Sequence, residues 1–391
     1  MLQPLATLLS QLEQMRSRGV PYVLVTLIGV QGNSTRKLGA RMWVAQDGFT
    51  LGSVSFGSCG DGEIKKQIQS VLEAGTARRL SFRVGEDEDT ELGLACTGDL
   101  EVFLEPNPRV EAVWRKALEH LSSRQTVTLE TTLEGVPVYS LKTNVGATGG
   151  PAREADRRSG PEGAVQTKTP GRWRFVQAVK RPHGRCFDQE DVLKLGQDSQ
   201  SPLPKRARVE SLEYGSYAFL EHWTPPPHLV IIGANPISGP LSRMAREVGC
   251  AVTVFDSTPE KVTRELFPDV QNLLSGDLER VLNLEQSDVW TAVVVVSHNY
   301  ADEVFALRAA LVSGAGYLAV LASERRGRAL LRFLEDLGFS KNQLERIRTP
   351  AGLDLGLDTP AGIALSILSE MTATLNRRTG VPFVQKQLIE R

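Results

Sequence analysis

The chain has 391 residues, 45 of them basic and 46 acidic, for a net charge of −1. That balance excludes a protein built mainly to grip the phosphates of nucleic acid or an anionic membrane, since both need a basic excess. With 41% hydrophobic residues and 35 glycines the composition is that of a globular protein and not a disordered one, and the length predicts two domains or three.

The first residues read as an amphipathic helix with Leu5, Leu8, Leu9 and Leu12 on one face, not as a secretory leader. PYVLVTLIGV and ARMWVAQDGFTLGSV follow as strands, the second turning at Asp47 and Gly48. Residues 61–75 have helical spacing at Ile64, Ile68, Val71 and Leu72 and stop on Gly75. Two more strands, RRLSFRV and DLEVFLEP, make this region mixed α and β. After a helix over 112–122, TVTLETTL, VPVYSL, RWRFVQAV and YAFLEHW read as strands of a meander. Long loops rich in Gly, Pro, Ser and charge interrupt them at about 143–171 and 182–208.

The sharpest boundary is TPPPH at 224–228, since three prolines neither continue a helix nor suit a central strand. It divides an N-terminal α+β domain, 1–223, from a C-terminal domain, 224–391. Beyond it come strand HLVIIG, helix PLSRMAREVG, strand CAVTVFD, strand TAVVVVSHN, a helix over 301–313, strand YLAVLAS and a helix over 326–337. Continuous β-branched runs alternating with helices predict an α/β, Rossmann-like, doubly wound parallel sheet.

The first strand and helix of that domain flank GANPISG, and Asp256 ends the next strand about 20 residues on, as in a dinucleotide-binding fold. The glycines do not follow the pattern: Gly233, Asn235 and Ser238 stand at the positions of G-x-G-x-x-G. Asn235 can take a left-handed backbone, but its side chain lies where a pyrophosphate needs room. Pro236, at the expected first helical position, removes one N–H. A modified nucleotide or pterin-nucleotide site and a fold that has lost its dinucleotide stay equally open. At the ends of later strands, Ser297, His298 and Asn299, then Ser323, Arg325 and Arg326, are candidates for gripping a ligand, while Arg328 is read as part of a solvated helix start. Their bland readings are a structural histidine and a solvated helix start.

The cysteines, Cys59, Cys96, Cys186 and Cys250, form no C-x-x-C pair, which excludes a zinc ribbon and a dense disulfide framework and fits a reducing compartment. The longest apolar runs fall far short of the ~18–20 residues of a membrane span, so a cytoplasmic protein without a membrane segment is expected. NSTRKLGAR brings Arg36, Lys37 and Arg41 to a small-residue turn, and GSVSFGSCGDG supplies the hydroxyl of Ser55, the thiol of Cys59 and backbone N–H groups of the kind that cradle phosphate. Beside such cations Cys59 or Cys96 would have a lowered pKa; as buried small hydrophobes they would not. Cys186 and Cys250 are read as structural.

These segments carry a resemblance. PPPHLVIIGA, FDSTPEKVTRELFPD, VVVVSHNYADE, LASERRGRALLRFLEDLG and TPAGLDLGLDTPAGIALSILSEMTA, with VTLIGVQGNSTRKLGARMWV, LGSVSFGSCGDGEI and ELGLACTGDLEVFLEP in the N-terminal half, resemble the XdhC/CoxI family. Its members are accessory proteins of molybdenum hydroxylases such as xanthine dehydrogenase. The most specific segment is GLDLG followed by TPAGIALSI, for which there is no generic structural explanation. The chain departs from the family where Gly-Ala-Gly-His is usual and Gly233, Ala234, Asn235 and Pro236 stand instead. It also has Phe56 for a glycine, Ser58 at the usual cysteine position with Cys59 next to it, and Thr97 for a glycine after Cys96.

The resemblance implies a chaperone that binds molybdenum cofactor, molybdopterin or its nucleotide form, assists its sulfuration with a cysteine desulfurase and delivers it to an apo molybdenum hydroxylase. Arg36, Arg41, Ser55, Cys59, Cys96, Gly233, Asn235, Asp256, His298, Asn299, Arg325, Arg326 and Asp354 would form the cofactor site, with no protein-held metal and no assigned catalytic residue. The alternatives are an NAD(P)-dependent oxidoreductase, for which Asp256 would favour NAD, and a ligand-free partner-binding scaffold. A symmetric homodimer is the base-rate expectation.

Overall fold

The computed structural model describes residues 5–32, 37–55, 58–84, 98–144, 207–211, 217–297 and 299–382. They fall into two units, one running to Pro225 and one from Pro226.

The N-terminal unit opens with helices α1 (Leu5–Ser17), α2 (Ser58–Ala74) and α3 (Glu111–Ser122) and strands β1 (Tyr22–Gly32), β2 (Arg41–Ala45), β3 (Thr50–Gly52), β4 (Arg78–Val84) and β5 (Gly98–Pro106). The strands form one antiparallel sheet in the order β3-β2-β1-β5-β4. Strand β1 is apolar almost throughout because it faces two cores, its side chains alternating between them. Tyr22 and Leu24 join Leu8 and Leu12 of α1 and Trp114 and Leu121 of α3; Val23, Val25 and Leu27 join Ile64, Ile68 and Val71 of α2.

A second antiparallel sheet contains β6 (Thr126–Thr132), β7 (Tyr139–Asn144), β8 (Ala207–Ser211) and β9 (Tyr217–Trp223). Val127, Leu129 and Trp223 pack into the core of α1 and α3. Its order, β7-β6-β9-β8, is not that of a meander: β6 pairs with β9, leaving β7 and β8 at opposite edges. Strand β7 starts later than expected because Val136 and Val138 are exposed. Strand β8 begins inside the stretch expected to be loop; its five residues, ARVES, bury only Ala207, too weak a signal for sequence reading. The remainder of both expected loops and the expected strand at 172–179 lie outside the described residues.

The C-terminal unit has strands β10 (His228–Ile232), β11 (Ala251–Asp256), β12 (Asn272–Ser275), β13 (Thr291–Val295), β14 (Tyr317–Val320) and β15 (Ile347–Arg348). All pair in parallel, in the order β12-β11-β10-β13-β14-β15. This is the doubly wound order 3-2-1-4-5-6, whose topological switch point lies between β10 and β13. Helices α4 (Ser238–Glu247), α5 (Tyr300–Val312), α6 (Glu324–Asp336) and α7 (Pro360–Leu375) cover it. Leu229, Ile231, Val252, Val254 and Val294 pack under α4 and α7, while Val230, Ile232, Val293 and Val295 pack under α5 and α6. Among the described residues no helix is long and apolar enough to cross a membrane.

The segment GLDLG–TPAGIALSI does have a structural explanation. Thr359 caps α7, its hydroxyl accepting from Gly362 N at 3.1 Å, and Pro360 takes the first helical position. A Cβ on Gly362 would lie 2.5 Å from that of Leu357. Gly352, at φ 102°, is so close to α7 that a Cβ would stand 2.3 Å from Ser366 Oγ. Glu370 ties the loop down, accepting from Gly352 N at 2.9 Å and from the Tyr317 hydroxyl at 2.7 Å.

Candidate functional site

The turn from β10 into α4 sits at the switch point, where open α/β sheets bind ligands. Gly233 has φ 109°, and a Cβ there would stand 2.6 Å from Ser297 N, so only glycine fits. The next donors turn inward. Gly233 N reaches Phe255 O at 2.7 Å, Ala234 N reaches Asp256 Oδ2 at 2.8 Å and Asn235 N reaches Ser238 Oγ at 3.1 Å. Ile237 N donates to Asn235 Oδ1 at 2.8 Å, and Ser238 N to Asn235 O at 3.0 Å and Oδ1 at 3.3 Å. The Asn235 amide, in turn, donates from Nδ2 to Val296 O at 2.8 Å. Asn235 is not in the left-handed region. Pro236 is not the first helical residue either, because it lies in a turn ahead of α4, which starts at Ser238.

Asp256 is buried, and its second oxygen accepts from Thr258 N at 2.9 Å, with Lys261 Nζ 3.9 Å away. Asn299 caps α5 through Ala301 N at 3.0 Å, and its Nδ2 is 3.4 Å from Ser257 Oγ. Close by, the Asp302 carboxyl is raised above its ordinary range, first by burial and further by the charges of Asp256 and Asp277, against hydrogen bonds from Ser257 and Asn299. Gly233, Asn235, Asp256 and Asn299 are therefore gathered at the ends of β10, β11 and β13.

The other predicted residues of this unit lie on later elements of the chain. Arg326 pairs with the buried Glu303 at 2.7 Å, and Arg325 is exposed at the start of α6, behind the Ser323 cap. Asp354 is exposed in the loop before α7 and accepts from Gly356 N at 3.3 Å. His298 lies outside the described residues. Cys250 is buried, which pushes its thiol up to about 11.

In the N-terminal unit, Asp61 of α2 already occupies the polar face of Ser55, accepting from its hydroxyl at 2.8 Å and its N–H at 3.3 Å. Cys59 falls in the first turn of α2, with its side chain outside the described residues, as are Arg36 and Cys96.

Arg41 does not face outward from its turn. It is 4% exposed and forks onto the fully buried Glu221 of β9, at 3.0 and 2.5 Å. Beside it the Tyr139 hydroxyl donates to Glu105, whose carboxyl burial raises to about 7, against that hydrogen bond and the charge of Arg41. Arg41, Glu105, Thr26, Thr131, Tyr139 and Trp114 line a cavity of about 10 Å³, room for roughly one water molecule. Sequence reading missed Glu105, Glu221 and Tyr139; the available signal was a carboxylate inside the strand runs DLEVFLEP and YAFLEHW. Among the described residues no cluster of His, Cys, Asp or Glu is placed to hold a metal ion.

Comparison with known proteins follows the same division. The family model described as the XdhC Rossmann domain matches residues 229–371, and that of the XdhC and CoxI family matches residues 15–83. A probable xanthine dehydrogenase subunit of Bacillus subtilis (strain 168) is 25% identical over 358 residues, 91% of this chain and 93% of that protein. The molybdenum cofactor insertion chaperone PaoD of Escherichia coli (strain K12) is 22% identical over 352 residues, 90% of this chain and 82% of the chaperone. A crystal structure described as a xanthine dehydrogenase from Bacillus halodurans shares the fold, with a TM-score of 0.63 at 21% identity over 96% of this chain and 98% of that one. With matches in both units and the Rossmann strand order in the second, the chain belongs to the XdhC/CoxI family.

Proposed function

We propose that this protein is a maturation factor for a xanthine dehydrogenase-type molybdenum hydroxylase, holding molybdenum cofactor and passing it to the apo-enzyme. The observation that carries the reading is the likeness to an insertion chaperone over 90% of this chain, a span that takes in both units. A cysteine desulfurase would be a second partner, supplying sulfur while the cofactor is held.

The chain's own residues limit where the cofactor would sit. The first βα turn does not fit a pyrophosphate, since its amides and both Asp256 oxygens are bonded internally. That argues equally against an NAD(P)-dependent oxidoreductase and leaves the cofactor's phosphate to other groups. Arg325, exposed at the start of α6, would be one such group.

The test is co-expression with cofactor biosynthesis, followed by metal analysis and fluorescence of the oxidised pterin. Near-stoichiometric molybdenum and pterin, with a rise in activity of the apo-hydroxylase on mixing, is the expected result. Absence of both bound ligand and activation would refute the proposal. If the ligand-free protein alone retains the hydroxylase in a pull-down, the scaffold reading replaces it.

A further inference from the structure

We infer that Asn235 seals the phosphate cradle of the Rossmann-like unit, so that this turn takes no dinucleotide and the architecture persists with its ligand position filled from within. In a dinucleotide-binding fold the amides after the first strand face outward to a pyrophosphate, aided by the positive end of the helix. Here the amides of residues 233, 234, 235, 237 and 238 all have internal acceptors, and Pro236 has no N–H to offer. Asn235 Oδ1 takes the part of a phosphate oxygen, accepting from Ile237 N and Ser238 N.

The carboxamide is also fixed from the other side. Its Nδ2 bonds Val296 O, just past the end of β13, so the side chain is stitched across the switch-point crevice between β10 and β13. Ser238, where the pattern has its third glycine, adds a lock: its hydroxyl donates to Gly233 O at 2.7 Å. A pyrophosphate would have to turn these amides away from acceptors they already hold, and a ribose would share Asp256 with Ala234 N and Thr258 N. An incoming pyrophosphate would also approach the Asp256 carboxylate, whose charge already raises the Asp302 carboxyl beside it. Each exchange gives up a formed, partly buried hydrogen bond, and the repulsion adds to that loss.

The inference concerns this turn alone and is independent of the maturation role. Hydrogen–deuterium exchange of the full chain, followed by mass spectrometry of peptides spanning residues 233–240, tests it with ADP, NADH and NADP+ as probes at millimolar concentration. Slow exchange of this segment without ligand, unchanged by any probe, is expected. Fast exchange in the ligand-free chain, or a slowing of this segment by any probe, would overturn the proposal. In Asn235→Ala the Ile237 amide, isolated by overlapping peptides, should exchange at least ten-fold faster, because it loses its acceptor while Ser238 N keeps the Asn235 carbonyl; unaltered exchange in a folded variant would also overturn it. If that variant does not fold, the wild-type measurement still decides. A chain that carries molybdenum cofactor yet shows a slow, probe-insensitive turn keeps both readings, whereas one that fails to carry it leaves this result standing.

Discussion

Replacing Glu105 by Gln probes the buried polar cluster between the two sheets of the N-terminal unit. Burial holds the Glu105 carboxyl at about 7, against an ordinary value of 4.5. A carboxyl raised in this way contributes stability that is complete below its unfolded value and is lost as the pH climbs through the folded one. The window therefore runs from 4.5 to about 7. At about 1.36 kcal/mol per pH unit, ionising this group costs the folded protein on the order of 3 kcal/mol by about pH 8. Glutamine cannot ionise, and its amide oxygen still accepts from the Tyr139 hydroxyl. The stability of Glu105→Gln minus that of wild type should thus grow by about 3 kcal/mol between about pH 5 and pH 8.5. Urea unfolding followed by tryptophan fluorescence at several pH values measures that difference, and other titrating groups cancel in it. A difference that stays flat, or that falls with pH, would refute the reasoning.

Glu221→Ala should cost about 3–5 kcal/mol in urea unfolding, because it leaves the Arg41 guanidinium buried without its counter-ion. Gly233→Ala combines a φ of 109° with a Cβ 2.6 Å from Ser297 N; a loss of at least about 2 kcal/mol is expected by thermal unfolding, and a neutral result would contradict the close approach. Cys250→Ala should leave the count of native thiols reactive toward a disulfide reagent at about pH 8 unchanged, and lower the count after unfolding by one, since burial keeps this thiol protonated. Glu370→Ala removes the acceptor shared by Gly352 N and Tyr317 and should speed amide exchange over residues 351–358.

Much of the fold was legible because its strands are buried on both faces. Strands β1 and β13 carry nearly unbroken apolar runs, and the turn at Asp47 and Gly48 gives the β2–β3 hairpin, with Gly48 at φ 87°. Strand β12, NLLS, is too short and too exposed to leave a pattern, so the edge of the parallel sheet was not visible. Helix α7 was hidden by its own distinctiveness: TPAGIALSI reads as a family signature, while Thr359 and Pro360 are a plain helix start. At the candidate site the sequence showed that Asn235 departs from glycine, but not which way its carboxamide turns, since its partner Val296 is remote in the chain. The burial of Arg41 was invisible for the same reason. Its partner Glu221 lies on another sheet, and a basic residue beside a turn ordinarily points to water.

Strands β7 and β8, at opposite edges of the second sheet, set a modest demand on the chain that joins them. Three strand spacings separate the edges, about 14 Å, a gap that a dozen residues would cross with slack. The joining stretch, residues 145–206, is several times longer than that. Closing a flexible loop costs entropy only logarithmically with length, about 0.6 kcal/mol per doubling. The pairing of β6 with β9 therefore sets only a lower bound on the length of chain that must separate β7 from β8.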